Sequence, residues 1–121
     1  MPTILIVEDE ASIRKLAAVN LRARGYDVIA VESAEEGLIQ LPGHPIALIL
    51  LDIKLPGMRG WEFLTAIAGD PRVAQNIPVI IMSASATDAQ EKAPSYANVV
   101  KILTKPFSTQ ALMQAVADVL R

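Results

Sequence analysis

The sequence predicts an α/β fold built on a parallel sheet, and two observations support this. Five short apolar runs recur along the 121 residues, at about positions 3–7, 27–31, 46–51, 77–82 and 99–103. Each run is rich in Ile, Val and Leu and apolar on both faces, as buried parallel strands are, and helix-like segments separate the runs. Strands that alternate with helices require right-handed crossovers, which place helices on both faces of the sheet.

The first two helix-like segments have recognisable boundaries. In the first, one helical face collects four apolar residues, and Gly25 is placed to stop the helix; the four are Ile13, Leu16, Ala17 and Leu21. In the second, Ser33 and Glu36 have the spacing of a capping box, and Pro42-Gly43 ends the segment. Both segments are therefore predicted to be amphipathic helices that cover the sheet.

The later segments continue the alternation. Residues 60–69 place Phe63, Leu64 and Ile67 on one stripe of a third helix. The last helix is predicted to begin after Ser108 as its N-cap, with five residues facing inward: Leu112, Ala115, Val116, Val119 and Leu120. Between them, residues 84–98 give the weakest signal, because Pro94 would shorten or kink a fourth helix.

Composition limits the class of protein. Apolar residues make up 52% of the chain and the net charge is −2, so no broad positive field would attract nucleic acid or anionic lipid. Cysteine is absent, which excludes disulfides and thiolate metal sites. The N-terminus lacks the layout of a secretory signal, and we expect a soluble cytoplasmic protein. Residues 1–121 are expected to form one domain, with no output domain after Leu120-Arg121.

Polar residues follow four of the five predicted strands. Glu8-Asp9 ends the first, Asp52 the third, Ser83 the fourth and Lys105-Pro106 the fifth. The carboxyl ends of parallel strands face one crevice, where ligands bind in open α/β sheets. The sequence therefore predicts one pocket that holds three carboxylates, a hydroxyl and an ammonium group.

Three carboxylates in one pocket favour a bound cation. At a separation of ~5 Å and an effective dielectric of about 20, each like-charged pair repels by roughly 3 kcal/mol. Such a site either raises the pKa of a carboxyl or recruits a metal, and ligands that are all oxygen favour Mg²⁺ over Zn²⁺. Taken singly, Glu8 or Asp9 could instead cap the first helix, but capping does not explain why Asp52 and Lys105 lie at matching strand ends.

These residues resemble the receiver domains of two-component response regulators, including the single-domain chemotaxis type. The resemblance covers Ile4 to Leu120 and depends on four motifs in order. They are Glu8-Asp9, Asp52-x-x-x-Pro56-Gly57-x-x-Gly60, Ser83-Ala84 and Lys105-Pro106-Phe107. The family's fold is a flavodoxin-like, doubly wound sheet of five parallel strands in the order 2-1-3-4-5 with five helices.

The resemblance implies a role for each site residue. Asp52 would be the phosphoacceptor, taking phosphate from a sensor histidine kinase or a small donor such as acetyl phosphate. Mg²⁺ would be bound by Asp9, by Asp52 and by the backbone carbonyl of Lys54, with Glu8 acting through a water. Ser83 and Lys105 would hold phosphoryl oxygens. Phosphate would then switch contacts with an output partner, on a face formed by the fourth helix, fifth strand and fifth helix.

The resemblance also implies some backbone geometry. Pro56-Gly57 would form the turn that leaves the nucleophile, and Gly60 would open the third helix close to the sheet. The family pattern for Lys105-Pro106 is a cis peptide, whereas most bonds before proline are trans.

Two features depart from the family pattern. Receiver domains usually carry Tyr or Phe three residues before the lysine, and that aromatic ring couples to the Ser or Thr when phosphate binds. Here the position is Ile102, which has no ring to move, so output through the usual aromatic switch is in doubt. The family usually has a Gly-Ala-Asp-like segment before the fifth strand, and here the sequence is Ala97-Asn98-Val99-Val100-Lys101. Together with Pro94, this difference suggests an atypical fourth helix.

Other functions remain open at the level of sequence. A docking receiver that signals without phosphate would fit Ile102. A small phosphohydrolase of the haloacid dehalogenase type also uses an Asp nucleophile and Mg²⁺, but it needs a second Asp two residues on, where this chain has Lys54. A flavodoxin-like carrier of FMN is the weakest alternative, because Glu8-Asp9 would repel the flavin phosphate.

Overall fold

The computed structural model describes residues 2–73 and 76–121, in which strands and helices alternate. The strands are β1 (Thr3–Val7), β2 (Asp27–Val31), β3 (Ile46–Asp52), β4 (Val79–Ser83) and β5 (Val99–Thr104). The helices are α1 (Ala11–Ala23), α2 (Ala34–Gln40), α3 (Gly60–Ala68), α4 (Ala86–Lys92) and α5 (Thr109–Leu120). Short 3₁₀ turns follow α2 at Leu41–Gly43 and α4 at Ala93–Ser95. Across the described residues, every helix is too short or too polar to cross a lipid bilayer.

The five strands form one parallel sheet in the order β2-β1-β3-β4-β5, which confirms the predicted fold and strand order. The fourth strand was predicted over residues 77–82 but begins at Val79. Pro78 accounts for the later start, because it has no N–H for the ladder and contributes only its carbonyl, which accepts from the Ile49 N–H at 3.0 Å.

Alternate residues of each central strand pack into two cores, one on each face of the sheet. On one face, Leu5 and Val7 of β1 belong to a cluster with Phe63 and Leu64 of α3. On the other, Ile4 and Ile6 belong to a cluster with α1 and α5, which includes Leu21, Leu112 and Val116. This two-sided burial explains why the strand sequences are continuously apolar.

One predicted core position is wrong. Leu16 was assigned to the inward face of α1, but it is 45% exposed, whereas Ala17, Ala18 and Leu21 are buried. Successive residues of a helix are rotated by about 100° about its axis. When Ala17 and Leu21 face the core, Leu16 therefore lies on the solvent side.

The helix boundaries largely follow the predicted signals. Gly25, after α1, adopts a φ of 94°, and the Ser33 and Ser108 hydroxyls accept from the first turns of α2 and α5 at 3.1 and 3.0 Å. The fourth helix is only seven residues long and gives way to the 3₁₀ turn that contains Pro94, as predicted.

Gly60 lets α3 begin directly against the end of β3. A Cβ at this position would lie 2.8 Å from the backbone oxygen of Asp52 and 2.8 Å from the Cα of Ile53. Backbone atoms cannot yield as a flexible side chain can, so only glycine fits here. The Gly60 N–H donates to the Ile53 carbonyl at 3.0 Å, which ties the start of α3 to the segment after Asp52.

Replacing Gly60 should therefore destabilise the fold. We expect Gly60→Ala to lower the free energy of unfolding by about 1–3 kcal/mol, the usual cost of overpacking. Gly69→Ala is a matched control, because a Cβ there meets nothing closer than 3.9 Å, and it should stay within about 0.5 kcal/mol of the parent. Urea unfolding measures the free energy of unfolding of both variants. If the two were equally stable, the close approach of Gly60 to the end of β3 would not limit the residue at this position.

Candidate functional site

The structure brings the three predicted carboxylates together at the carboxyl edge of the sheet. Glu8 and Asp9 follow β1 and Asp52 ends the neighbouring β3, and one carboxylate oxygen of each lies within 4.8 Å of the others. Glu8 is fully buried and Asp52 is only 4% exposed, whereas Asp9 is exposed to solvent. The cluster therefore has a buried floor and an open rim.

Lys105 forms salt bridges with the two buried acids. It follows β5, and its Nζ lies 2.7 Å from Oε1 of Glu8 and 3.3 Å from Oδ2 of Asp52. Its backbone N–H donates to the Ser83 carbonyl at 2.8 Å, which fixes the loop from which the side chain projects. The Lys105–Pro106 peptide bond is cis. The sequence predicted Lys105 in this pocket but not its ion pair with Glu8.

Backbone N–H groups hold the second oxygen of each buried acid. The Lys54 N–H donates to Oδ1 of Asp52 at 3.1 Å, and the Glu10 N–H donates to Oε2 of Glu8 at 3.1 Å. Each carboxylate thus turns one oxygen to the backbone and the other to the ammonium group. This division fixes the orientation of both acids before any ligand arrives.

Burial dominates the electrostatics of Glu8. Loss of hydration raises the pKa of Glu8 from 4.5 to about 7; the Lys105 ammonium lowers this pKa, and neighbouring Asp52 raises it. Burial by itself would lower the pKa of Lys105, but contacts with Glu8 and Asp52 outweigh it and raise this pKa above its ordinary value. The Lys105 ammonium, 2.7 Å from Oε1, is therefore the group that meets this buried oxygen.

Ser83 lies at the same edge, at the end of β4 and next to the strand that carries Asp52. Its side chain is engaged locally: Oγ donates to the Ser85 carbonyl at 3.1 Å and accepts from the Ser85 N–H at 3.1 Å. The hydroxyl predicted to contact phosphate is therefore committed to the loop between β4 and α4. This partner was not predicted from the sequence, although a serine hydroxyl commonly bonds to the backbone two residues on.

A cavity of about 350 Å³ opens beside this loop. Its walls include Ser83, Lys54, Trp61 and Lys92, so it lies between the carboxyl edge of the sheet, α3 and α4. Trp61 is half-buried, and its ring stacks on that of Tyr96 with centroids 5.4 Å apart and planes 19° from parallel. This aromatic pair was not predicted from the sequence, because its members lie 35 positions apart.

Ile102 is half-buried on β5 and packs against the core cluster of α3. It lines a surface groove of about 420 Å³ between α4 and β5, together with Pro94, Tyr96 and Val99. The aromatic rings near α4 thus belong to Trp61 and Tyr96 rather than to position 102.

Comparison with known sequences identifies relatives of this chain. Residues 4–117 match the model of the response regulator receiver domain. The transcriptional regulatory protein GlrR of Escherichia coli is 32% identical over 97% of this chain and 26% of its own length. The phosphate regulon transcriptional regulatory protein PhoB of Pseudomonas aeruginosa is 34% identical over 98% of this chain and 52% of its own length. The chain therefore spans about a quarter to a half of these curated relatives.

Solved structures show the same architecture. Chemotaxis protein CheY4 of Vibrio cholerae superposes with a TM-score of 0.89 over 98% of both chains, at 23% identity, which is a likeness of fold. Response regulator TrrA of Thermotoga maritima, solved in complex with Mg²⁺-BeF, gives a TM-score of 0.83 at 27% identity, over 98% of this chain and 99% of its own.

The raised pKa of Glu8 should make the stability of the metal-free protein depend on pH. Between pH 4.5 and about 7 the folded protein holds a proton that the unfolded chain releases. This contribution to stability is fully present below pH 4.5 and is lost as the pH rises through about 7. We expect the Glu8→Gln substitution to remove this decline in stability with rising pH. Urea unfolding at a series of pH values, with a chelator present to keep the protein free of metal, measures it.

The exposed Glu36 provides the control for this measurement. The Glu36→Gln variant should keep the decline of the parent protein, because its side chain lies outside the buried cluster. A decline of the same size in the Glu8→Gln variant would assign the pH dependence to another group.

Proposed function

Given that this chain belongs to the response regulator receiver domain family, we propose that it accepts a phosphoryl group on Asp52. One observation supports the proposal above all others: Asp52 is a buried carboxylate at the end of β3, with an ammonium group 3.3 Å from one oxygen and two more acids close by. A buried nucleophile flanked by a cation is suited to chemistry that depends on charge neutralisation.

The residues around Asp52 fit Mg²⁺ as a cofactor. The proposed ligands are all oxygen atoms: the carboxylates of Asp9 and Asp52, the backbone carbonyl of Lys54, and Glu8 through a water. Three carboxyl groups, those of Glu8, Asp9 and Asp52, lie within 4.8 Å of one another with one ammonium group beside them, which favours a further cation, and the exposed Asp9 provides access from solvent. When bound, Mg²⁺ would neutralise the acids and draw charge from the phosphoryl oxygens.

The protein's own groups would then act as follows. A carboxylate oxygen of Asp52 attacks the phosphorus of a phosphohistidine; the P–O bond forms as the P–N bond breaks, and its electron pair leaves with the imidazole. Lys105 neutralises one phosphoryl oxygen as a point charge, and the Ser83 hydroxyl donates to another. The backbone N–H of Lys54, 3.1 Å from Oδ1, orients the nucleophile throughout.

This chemistry is that of a signalling protein rather than a hydrolase. The chain would catalyse no more than its own phosphorylation from small donors and a slow autodephosphorylation. A hydrolase with an Asp nucleophile needs an acid two residues on, and the residue there is Lys54. The intact acid cluster and the family match also disfavour a docking role that is independent of phosphate.

We propose two kinds of partner, met in the cytoplasm. A sensor histidine kinase would supply the phosphoryl group, and an output protein or output domain would respond to it. The face formed by α4, β5 and α5 is the proposed contact surface for output, with the groove at Pro94, Tyr96 and Ile102 as its centre. GlrR and PhoB, the relatives named as transcriptional regulatory proteins, are each longer than this chain.

Intact-mass analysis tests the assignment of Asp52. After incubation with acetyl phosphate and Mg²⁺, the native chain should gain one phosphoryl group, and Asp52→Asn should gain none because an amide is not a nucleophile for this transfer. Asp27→Asn, which changes an exposed carboxylate at the start of β2, is the matched control and should be modified like the native chain. Equal modification of Asp52→Asn would move the phosphoacceptor to another residue.

A further inference from the structure

Two of the proposed metal ligands lie on loops rather than on strands. Asp9 follows β1 and precedes α1, and the Lys54 carbonyl lies in the segment between β3 and α3. Loop residues keep more conformational freedom than residues of a sheet unless other groups hold them in place. Mg²⁺ requires near-octahedral coordination, so the affinity for this ion depends on how firmly both loops are held.

Arg14, near the start of α1, holds the loop after β1. Its Nη1 donates to the backbone carbonyl of Glu8 at 2.9 Å and to that of Asp9 at 3.3 Å. These two carbonyls belong to the peptide groups on either side of the Asp9 Cα, so the guanidinium group restricts the backbone from which the Asp9 side chain projects. Both contacts are with backbone oxygens, and the carboxylate of Asp9 therefore stays available for a metal.

Glu35, in the first turn of α2, holds the loop after β3. Its Oε2 accepts from the Met58 N–H at 3.3 Å, although the two residues are 23 positions apart. The same oxygen lies against Gly57, where a Cβ would be 2.8 Å away and where φ is 73°. Among the described residues, this is the only hydrogen bond that ties residues 56–59 to an element other than α3.

The contact with Glu35 compensates for the weak packing of this turn. Leu55, which follows Lys54, is buried in the core, but the turn at Pro56-Gly57 is exposed. The Lys54 N–H bonds to Asp52 on one side of the Lys54 carbonyl, and Glu35 fixes the turn on the other side. The position of this carbonyl is therefore set by contacts on both sides of it.

We propose that Arg14 and Glu35 are positioning residues for the metal site, a role that rests on the function proposed above. Each acts through the backbone of a loop, and neither would coordinate the metal itself. Together they hold the Asp9 carboxylate and the Lys54 carbonyl in place before Mg²⁺ binds. Groups that are fixed in advance lose less conformational entropy on binding, so the affinity for Mg²⁺ is higher.

An NMR titration with Mg²⁺, followed by backbone amide chemical shifts, tests the role of Arg14. Arg14→Met removes the donors but keeps an unbranched side chain, and it should raise the Kd for Mg²⁺ about fivefold, the factor expected for one lost hydrogen bond. Loss of a positive charge beside the acids would by itself have the opposite effect and lower this Kd. The sign of the change therefore separates positioning from charge.

Lys15→Met is the matched control for Arg14, because it removes an exposed charge of the same sign one residue on. Its Kd for Mg²⁺ should be no higher than that of the native chain. A Kd for Arg14→Met at or below the native value would overturn the role of Arg14.

Glu35 needs a different comparison, because its negative charge also attracts Mg²⁺. Glu35→Ala should raise the Kd about threefold, since its hydrogen bond is exposed. Glu35→Gln loses the charge but keeps an oxygen that can accept from the Met58 N–H, and it should restore most of the affinity. Glu36→Ala, which removes an exposed charge one residue on, should match the native Kd. A Kd for Glu35→Gln as high as that for Glu35→Ala, or a native Kd for Glu35→Ala, would overturn the role of Glu35.

Hydrogen exchange in the metal-free protein measures the order of the two loops directly. The Met58 N–H should exchange faster in Glu35→Ala, and the Glu10 N–H faster in Arg14→Met, than in the matched control variants. Amides of the central strands should keep their native exchange rates. Equally faster exchange throughout the sheet would overturn the positioning role, because the substitutions would then act on the stability of the whole fold.

Failure of this role is distinguishable from failure of the proposed function. If the native chain binds Mg²⁺ and gains a phosphoryl group on Asp52, while Arg14→Met and Glu35→Ala bind Mg²⁺ equally well, the positioning role is wrong and the phosphoacceptor stands. If the native chain neither binds Mg²⁺ nor gains a phosphoryl group from acetyl phosphate, the proposed function itself is wrong.

Discussion

The site depends on the salt bridges that Lys105 forms with Glu8 and Asp52. Two carboxylates buried side by side would repel each other and lose hydration, and the ammonium group at 2.7 and 3.3 Å offsets part of that cost. The offset is incomplete, since the pKa of Glu8 still rises to about 7. The strand order makes the contact possible by directing the ends of β1, β3 and β5 toward one edge.

Ser83 and Lys105, the two groups expected to hold a phosphoryl group, both have partners within the protein. Ser83 donates to the loop before α4, and Lys105 lies against Glu8 and Asp52. A phosphoryl group on Asp52 would compete for both, so its arrival would be coupled to the loss of existing contacts. A receiver needs that exchange, because a ligand shifts a conformational equilibrium only through contacts that differ between the two states.

The sequence predicted the fold and the meeting of the acids because both follow from the backbone pattern. Continuous apolar runs define strands buried on two faces, and residues at their carboxyl ends must converge. Contacts between individual side chains could not be predicted in the same way. Neither the contact of Lys105 with Glu8 nor the stacking of Trp61 on Tyr96 has a local signature, because each joins distant segments. The prediction for Leu16 was wrong for a related reason. The sequence shows which residues of a helix are apolar, but not how many of them the sheet covers.

A crystal structure of this chain grown with Mg²⁺ and beryllofluoride would show whether the acids, Lys105 and Ser83 bind one ligand together. We expect beryllofluoride bonded to Asp52, one Mg²⁺ coordinated by Asp9, Asp52 and the Lys54 carbonyl, and Lys105 and Ser83 both turned to the fluoride atoms. Density for these ions away from Asp52, or Lys105 still on Glu8 beside an occupied site, would contradict it.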